Sequence, residues 1–176
     1  MFCVGDTVIY GTQGVCRISA IEENDFGGDS VEYYVLRPVY DVNSTVFVPV
    51  KNEKLVGKMR AVLSPEEIIG MIRSMPDEET IWIEDETERK QTYQEIIREG
   101  DRRKLVRLIK TLHFHGLEQQ KKGRRLHQSD ESALKQAEEL LYNEFALVLK
   151  IRPEEVVPFI TRQIDIEPPG QAVNDG

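Results

Sequence analysis

The chain has 176 residues, 40% of them apolar, and a formal net charge of -8, a composition that supports one substantial core or two modest ones and excludes a disordered polypeptide. No apolar run approaches the roughly eighteen residues a bilayer crossing needs, and the opening M-F-C-V-G-D lacks the charged-then-apolar layout of a secretory signal. No membrane contact is therefore expected, and the cytoplasm is the expected compartment; there Cys3 and Cys16 are expected as free, buried thiols.

From Val4 to Val50 the chain breaks into short runs rich in Val, Ile, Tyr and Thr, separated by G-T-Q-G, N-D-F-G-G-D and D-V-N-S. That spacing predicts four or five strands of a small all-β barrel or sandwich. In Thr45-Val46-Phe47-Val48-Pro49-Val50, alternation sends Val46, Val48 and Val50 to one face and Phe47 to the other. Pro49 has no N–H to donate, which predicts an edge strand. Such an edge is either covered by the rest of the chain or offered to a partner's sheet.

Residues 51–63 read as a connection into a first helix, whose start is marked by Ser64 as N-cap, Pro65 at the first helical position and Glu67 three residues on. Ile68, Ile69 and Ile72 give that helix an apolar stripe, and Pro76 follows its end. Next comes the only tryptophan, Trp82, in a run crowded with carboxylates: residues 77–95 hold eight acids against Arg89 and Lys90. A second helix is expected from Glu86 to Glu99, with Gly100 just past its end and Asp101 capping the next.

That third helix places Leu105, Leu108, Ile109 and Leu112 on one face and Arg103, Arg107 and Lys110 on the opposite one. Between Asp101 and Glu118 its sequence holds no acid to neutralise the basic stripe. The stripe is either a solvated face or a phosphate contact. Residues 98–127 carry ten Lys or Arg against three acids, so within a Debye length of about 10 Å a basic band survives inside an acidic protein. Its last part, K-K-G-R-R, leads into a long helix, with Ser129 or Asp130 as cap and an apolar stripe from Ala133 to Val148. A short helix opens at Arg152-Pro153, and the tail from Ile166 is expected to be disordered.

No phosphate-cradling glycine loop, nucleophile elbow or zinc-protease pattern occurs, so neither an enzyme nor a cofactor is expected. His113 and His115, two apart on a helix, point about 200° from one another and cannot share a metal. Trp82, between Ile81 and Ile83, reads from its neighbours alone as a core anchor.

The opening V-G-D-T-V-I-Y-G-T-Q-G-V-C-R-I, the later T-V-F-V-P-V, and K-G-R-R-L-H-Q-S-D-E-S-A-L-K-Q-A-E-E-L-L-Y-N-E-F-A-L-V-L resemble the CarD/CdnL family of bacterial transcription regulators, over residues 1 to about 162. The resemblance implies an N-terminal Tudor-like or SH3-like barrel, shared with the transcription-repair coupling factor, that binds the β subunit of bacterial RNA polymerase. It also implies a helical domain that reaches promoter DNA at the upstream edge of the melted region. There the family's tryptophan wedges into the minor groove and keeps the bubble open. Trp82 stands where that residue is expected, and Arg89 resembles the basic residue that follows it on the DNA side. This chain departs from the pattern in the I-E-D-E-T-E between Trp82 and Arg89, and in Phe47, where some members carry a basic residue.

The expected fold class is α+β: a small all-β Tudor/SH3-like polymerase-binding domain over residues 1–57, an all-α DNA-contacting domain of about five helices over 58–165, and a disordered tail over 166–176. The expected polymerase-binding residues are Thr45, Val46, Phe47, Val48 and Pro49. The expected DNA-binding residues are Trp82, Arg89, Lys90, Arg103, Arg107, Lys110, Lys121, Lys122, Arg124 and Arg125. A monomeric, non-enzymatic regulator without metal is the leading expectation; an adaptor that binds only proteins is the alternative.

Overall fold

The computed structural model describes residues 1–165, so the tail expected at 166–176 lies outside the described residues. Its N-terminal part is one antiparallel sheet of five strands. They are β1 (Thr7–Tyr10), β2 (Val15–Asp25), β3 (Ser30–Pro38), β4 (Val46–Pro49) and β5 (Met59–Ala61), in the spatial order β4-β3-β2-β1-β5. The long β2–β3 hairpin turns at Asp25, whose carboxylate accepts from Gly28 N–H at 2.6 Å. Gly28 has φ 97°, a conformation that only glycine adopts freely. A register shift between Ile18 and Ala20 interrupts the β2–β3 ladder, as a bulge does. The sheet's own core is Val8, Cys16, Ile18, Tyr34, Leu36, Val48 and Met59, all buried.

The stretch 51–63, read from sequence as a connection, holds more. It forms a single helical turn, α1 (Glu53–Val56), and then β5, which pairs with β1 through Val8↔Ala61 and Ile9↔Arg60. The sheet thus continues past residue 57. Met59, Arg60 and Ala61 are too short a run to be read as a strand; the pairing partner, about fifty residues earlier in the chain, supplies the reason.

Five further α-helices follow: α2 (Pro65–Ser74), α3 (Glu86–Glu99), α4 (Arg102–Lys121), α5 (Gln128–Leu149) and α6 (Val156–Asp165). Ser64 caps α2 by accepting from Glu67 N–H, Gly100 ends α3 at φ 68°, and Asp101 caps α4 by accepting from Lys104 N–H, all as the sequence predicts. α5 differs: it begins at Gln128, and neither Ser129 nor Asp130 caps it, because Asp130 is turned inward onto Arg89. The helical core joins Ile68 and Ile72, Tyr93 and Ile97, the α4 stripe Leu105, Leu108, Ile109 and Leu112, and Ala133, Ala137, Leu141 and Phe145 of α5.

The helices meet the sheet at its β5 side. Arg102 binds Glu144 with two bonds of 2.7 Å and donates to Ala61 C=O at 2.9 Å, while Glu144 also accepts from Leu63 N–H at 2.9 Å. Arg60 donates to Gly100 C=O at 2.8 Å. This joint covers one margin of the sheet. The other margin, β4, pairs with no strand on its outer side among the described residues.

Candidate polymerase and nucleic-acid interfaces

At β4 the pairing Pro49↔Tyr33 and the bond from Val50 N–H to Glu32 C=O set the phase of the ladder. In an antiparallel pair alternate residues turn both polar groups to the partner. Val46, Val48 and Val50 therefore face β3, and the backbone groups of Phe47 and the carbonyl of Pro49 face outward. Val48, expected among the contact residues, is fully buried in the sheet core, so its side chain is not offered to a partner. Val46 and Pro49 are partly exposed and Thr45 is exposed. The Phe47 side chain lies on the opposite face and is 39% exposed. It stands edge-on to Phe26, centroids 5.1 Å apart, and to Tyr33 at 6.1 Å. Phe26, at the tip of the β2–β3 hairpin, is 63% exposed. Sequence reasoning had not joined Phe26 to this strand: it lies twenty-one residues away and looks like loop filler until the hairpin folds.

Trp82 lies in a segment without regular structure, yet the segment is pinned from several sides. Ile81 N–H donates to Thr111 Oγ1 at 2.8 Å, and Tyr93 Oη donates to Ile81 C=O at 3.0 Å. Burial, and then the nearby Asp130 carboxylate, push the Tyr93 phenol up to about 12, so it stays a donor. Arg89 donates to Ile83 C=O at 3.1 Å and Glu84 C=O at 3.3 Å, and its Nε reaches Asp130 at 2.9 Å. The indole itself stacks on the His115 imidazole, centroids 3.6 Å apart and planes 20° apart, with Arg89 Cζ 4.5 Å from its centre. Trp82 is half-buried and packs against the helical core.

Four of the expected DNA contacts, Arg89, Arg103, Arg107 and Lys110, have partners within the chain. Arg89 is 4% exposed and its guanidinium is spent on Asp130 and two carbonyls, so it positions the Trp82 segment and presents no charge outward. The stripe on α4 is also engaged. Arg103 and Arg107 each bind Glu78 at 2.8 Å, and Lys110 donates to the carbonyls of Met75, Pro76 and Glu78. Hydrogen bonding from Arg107 first of all holds the Glu78 carboxyl below its ordinary range. The neutralising acid comes from the segment before Trp82, and a search for acids within the helix could not find it. The eight acids of residues 77–95 were the available signal.

Lys90, Lys121, Lys122, Arg124 and Arg125 are exposed. The ion pairs of the described residues involve none of them. Lys121 ends α4, and Lys122, Arg124 and Arg125 lie in the turn that leads to α5. Six residues at 1.5 Å each put Lys121 about 9 Å along α4 from His115. His127 Nδ1 lies 3.3 Å from Glu86, which draws the far side of that turn to the start of α3. The basic turn and the Trp82 segment thus sit at one end of the helical half.

Residues 2–63 match the family model described as the CarD-like/TRCF RID domain, and residues 70–161 match the one described as the CarD C-terminal domain. The chain belongs to the CarD family. It is accordingly a CarD-like transcription regulator that interacts with RNA polymerase, in a family of regulators and not of enzymes. The five-stranded sheet coincides with the first CarD match and the helical core with the second. No helix among the described residues is long and apolar enough to cross a membrane. Both cysteines are free, Cys3 exposed rather than buried, and burial in the CarD sheet pushes the Cys16 thiol up to about 11.

Proposed function

We propose that this CarD-family chain binds the β subunit of RNA polymerase along the outer edge of β4, and that its helical half stabilises the open promoter complex. The observation that carries the DNA half is the grouping, at one end of the helices, of a half-buried indole with four exposed cations free of ion pairs among the described residues. Lys121, Lys122, Arg124 and Arg125 lie on phosphates, and Trp82 meets the minor groove at the upstream edge of the bubble. Its two faces are taken by His115 and Arg89, so the indole meets DNA by its edge. Lys90 adds a cation on α3; Arg103, Arg107 and Lys110 contribute less than their stripe suggests, because Glu78 and backbone carbonyls hold them. At β4, the outward backbone groups of Phe47 and Pro49 extend the partner's sheet, and the Phe26–Tyr33–Phe47 cluster supplies apolar area.

The test is salt dependence. Each phosphate contact removed flattens the log-affinity against log-salt slope by about 0.9 on duplex DNA. Replacing Lys121, Lys122, Arg124 and Arg125 by Ala should flatten it by several such steps on a polymerase–promoter complex, with attachment to polymerase alone unchanged. Equal slopes for variant and wild type would instead favour the adaptor without DNA contact, the reading that Glu78's neutralisation of α4 supports.

A further inference from the structure

The structure assigns His115 as the positioning residue that holds the Trp82 indole in one orientation, with the Arg89–Asp130 pair as the opposing jaw. The inference rests on the reading of Trp82 as the DNA-contacting residue.

An imidazole centred 3.6 Å from the indole centre and nearly parallel to it fills one face. The guanidinium 4.5 Å from the same centre then has only the other face. Neither jaw is free to drift. Arg89 is 4% exposed and fixed by Asp130 and by the carbonyls of Ile83 and Glu84. His115 sits in the middle of α4, one turn before Gln119, whose side-chain nitrogen lies 3.2 Å from His115 Nε2 and limits rotation of the ring. Meanwhile Ile81 and Ile83, on either side of Trp82, are tied to Thr111, Tyr93 and Arg89. Backbone ties alone leave χ1 and χ2 of the indole free to change; the two jaws remove that freedom. A side chain that is already immobile loses less conformational entropy when it enters a groove.

Ordinary packing would place an aromatic neighbour on the indole equally well, so the discriminating variants are His115→Ala, which empties one face, and His115→Phe, which refills it without the imidazole. Trp82 is the only tryptophan, so the emission of the isolated full-length protein reports this site alone. His115→Ala should raise the acrylamide quenching of that emission, and His115→Phe should leave it at the wild-type level. In open complexes challenged with competitor DNA, His115→Ala should shorten the lifetime about two- to tenfold, the range that loss of one aromatic pair implies, and His115→Phe should restore it. Wild-type quenching in His115→Ala would show that the stack does not hold the indole. A changed emission with an unchanged lifetime would overturn the positioning role, provided that Trp82→Ala itself shortens the lifetime. If Trp82→Ala leaves the lifetime unchanged, the reading of Trp82 is what fails, and the emission result stands apart from it.

Discussion

The molecule treats two groups of aromatic side chains in opposite ways. At the β4 edge, Phe26, Tyr33 and Phe47 stand edge-on to one another beside the outward backbone groups of the strand. At the other site, Trp82 is gripped by an imidazole and a guanidinium, and the guanidinium is anchored in turn by a buried carboxylate. On the proposed reading, the first is a surface whose energy is realised when a partner covers it. The second is organised by the chain itself, and its order depends on Arg89, seven residues further along, and on Asp130, forty-eight residues further along. Damage should therefore show in different measurements: in affinity at β4, and in stability or lifetime around Trp82.

The largest expected effect is at the anchor. Arg89 and Asp130 have side chains 5% and 3% exposed, so removing one partner leaves the other charge buried and uncompensated. Asp130→Ala should lose about 3–5 kcal/mol of unfolding free energy in urea denaturation, with a change in Trp82 emission before global unfolding. A loss under about 1 kcal/mol would mean that Arg89 finds water or another acid when Asp130 is gone, and would erase the contrast between the two sites.

At β4 the same style of change should spare the fold and cost binding. Phe47→Asp places a carboxylate on the outer face of an edge strand, where 39% exposure leaves little transfer energy to lose. Its unfolding free energy should fall by about 0.5–1 kcal/mol, the scale of cross-strand aromatic pairs. Affinity for polymerase in a direct titration should fall by about 2 kcal/mol, roughly thirtyfold, as for a central contact residue. Binding like wild type would move the docking surface away from this edge.

The contrast also explains what could be read before the structure. Ser64, Gly100 and Asp101 mark helix ends by local rules, and the Leu105–Leu112 stripe marks a face by local periodicity, so all were legible. Phe47 on an edge strand was legible from alternation and Pro49. Whatever depended on two segments meeting was not. Arg89 looked like a free cation because Asp130 lies forty-one residues on; Arg103 and Arg107 looked free because Glu78 lies in another element. His113 and His115 were weighed as metal ligands and rejected on helix geometry, but that geometry says nothing about which neighbour each ring meets. Thr111 and Tyr93 lay in apolar helical patterns whose periodicity gives a buried face and no indication that their hydroxyls serve the Trp82 segment.

The smallest expected effect concerns the link between the basic stripe and the segment that leads to Trp82. Glu78, its side chain 7% exposed, takes Arg103 on one oxygen and Arg107 on the other, and both arginines belong to α4. Hydrogen bonding from Arg107 is the main influence holding its carboxyl below the ordinary value of 4.5, partial burial opposes it, and Arg103 adds to the lowering. A carboxyl whose folded value lies below its unfolded one contributes stability that is present above the unfolded value and lost as pH falls through the folded one. Glu78 should therefore stabilise the protein at neutral pH and down to about pH 5, and its contribution should fade below 4.5. In Glu78→Gln that contribution is absent at every pH, so the thermal midpoints of variant and wild type should differ near pH 7 and converge towards pH 3. Midpoints that stay equally far apart across the acid range would mean that Glu78 acts through packing. Releasing Arg103 and Arg107 has a second consequence that a purely structural role lacks: two cations on the helix that carries His115 become available to phosphate. If the DNA reading holds, Glu78→Gln should steepen the salt dependence of the polymerase–promoter complex while it lowers stability. A fall in stability without any change in slope would place the α4 stripe away from DNA altogether, leaving the turn at residues 121–125 as the basic contact.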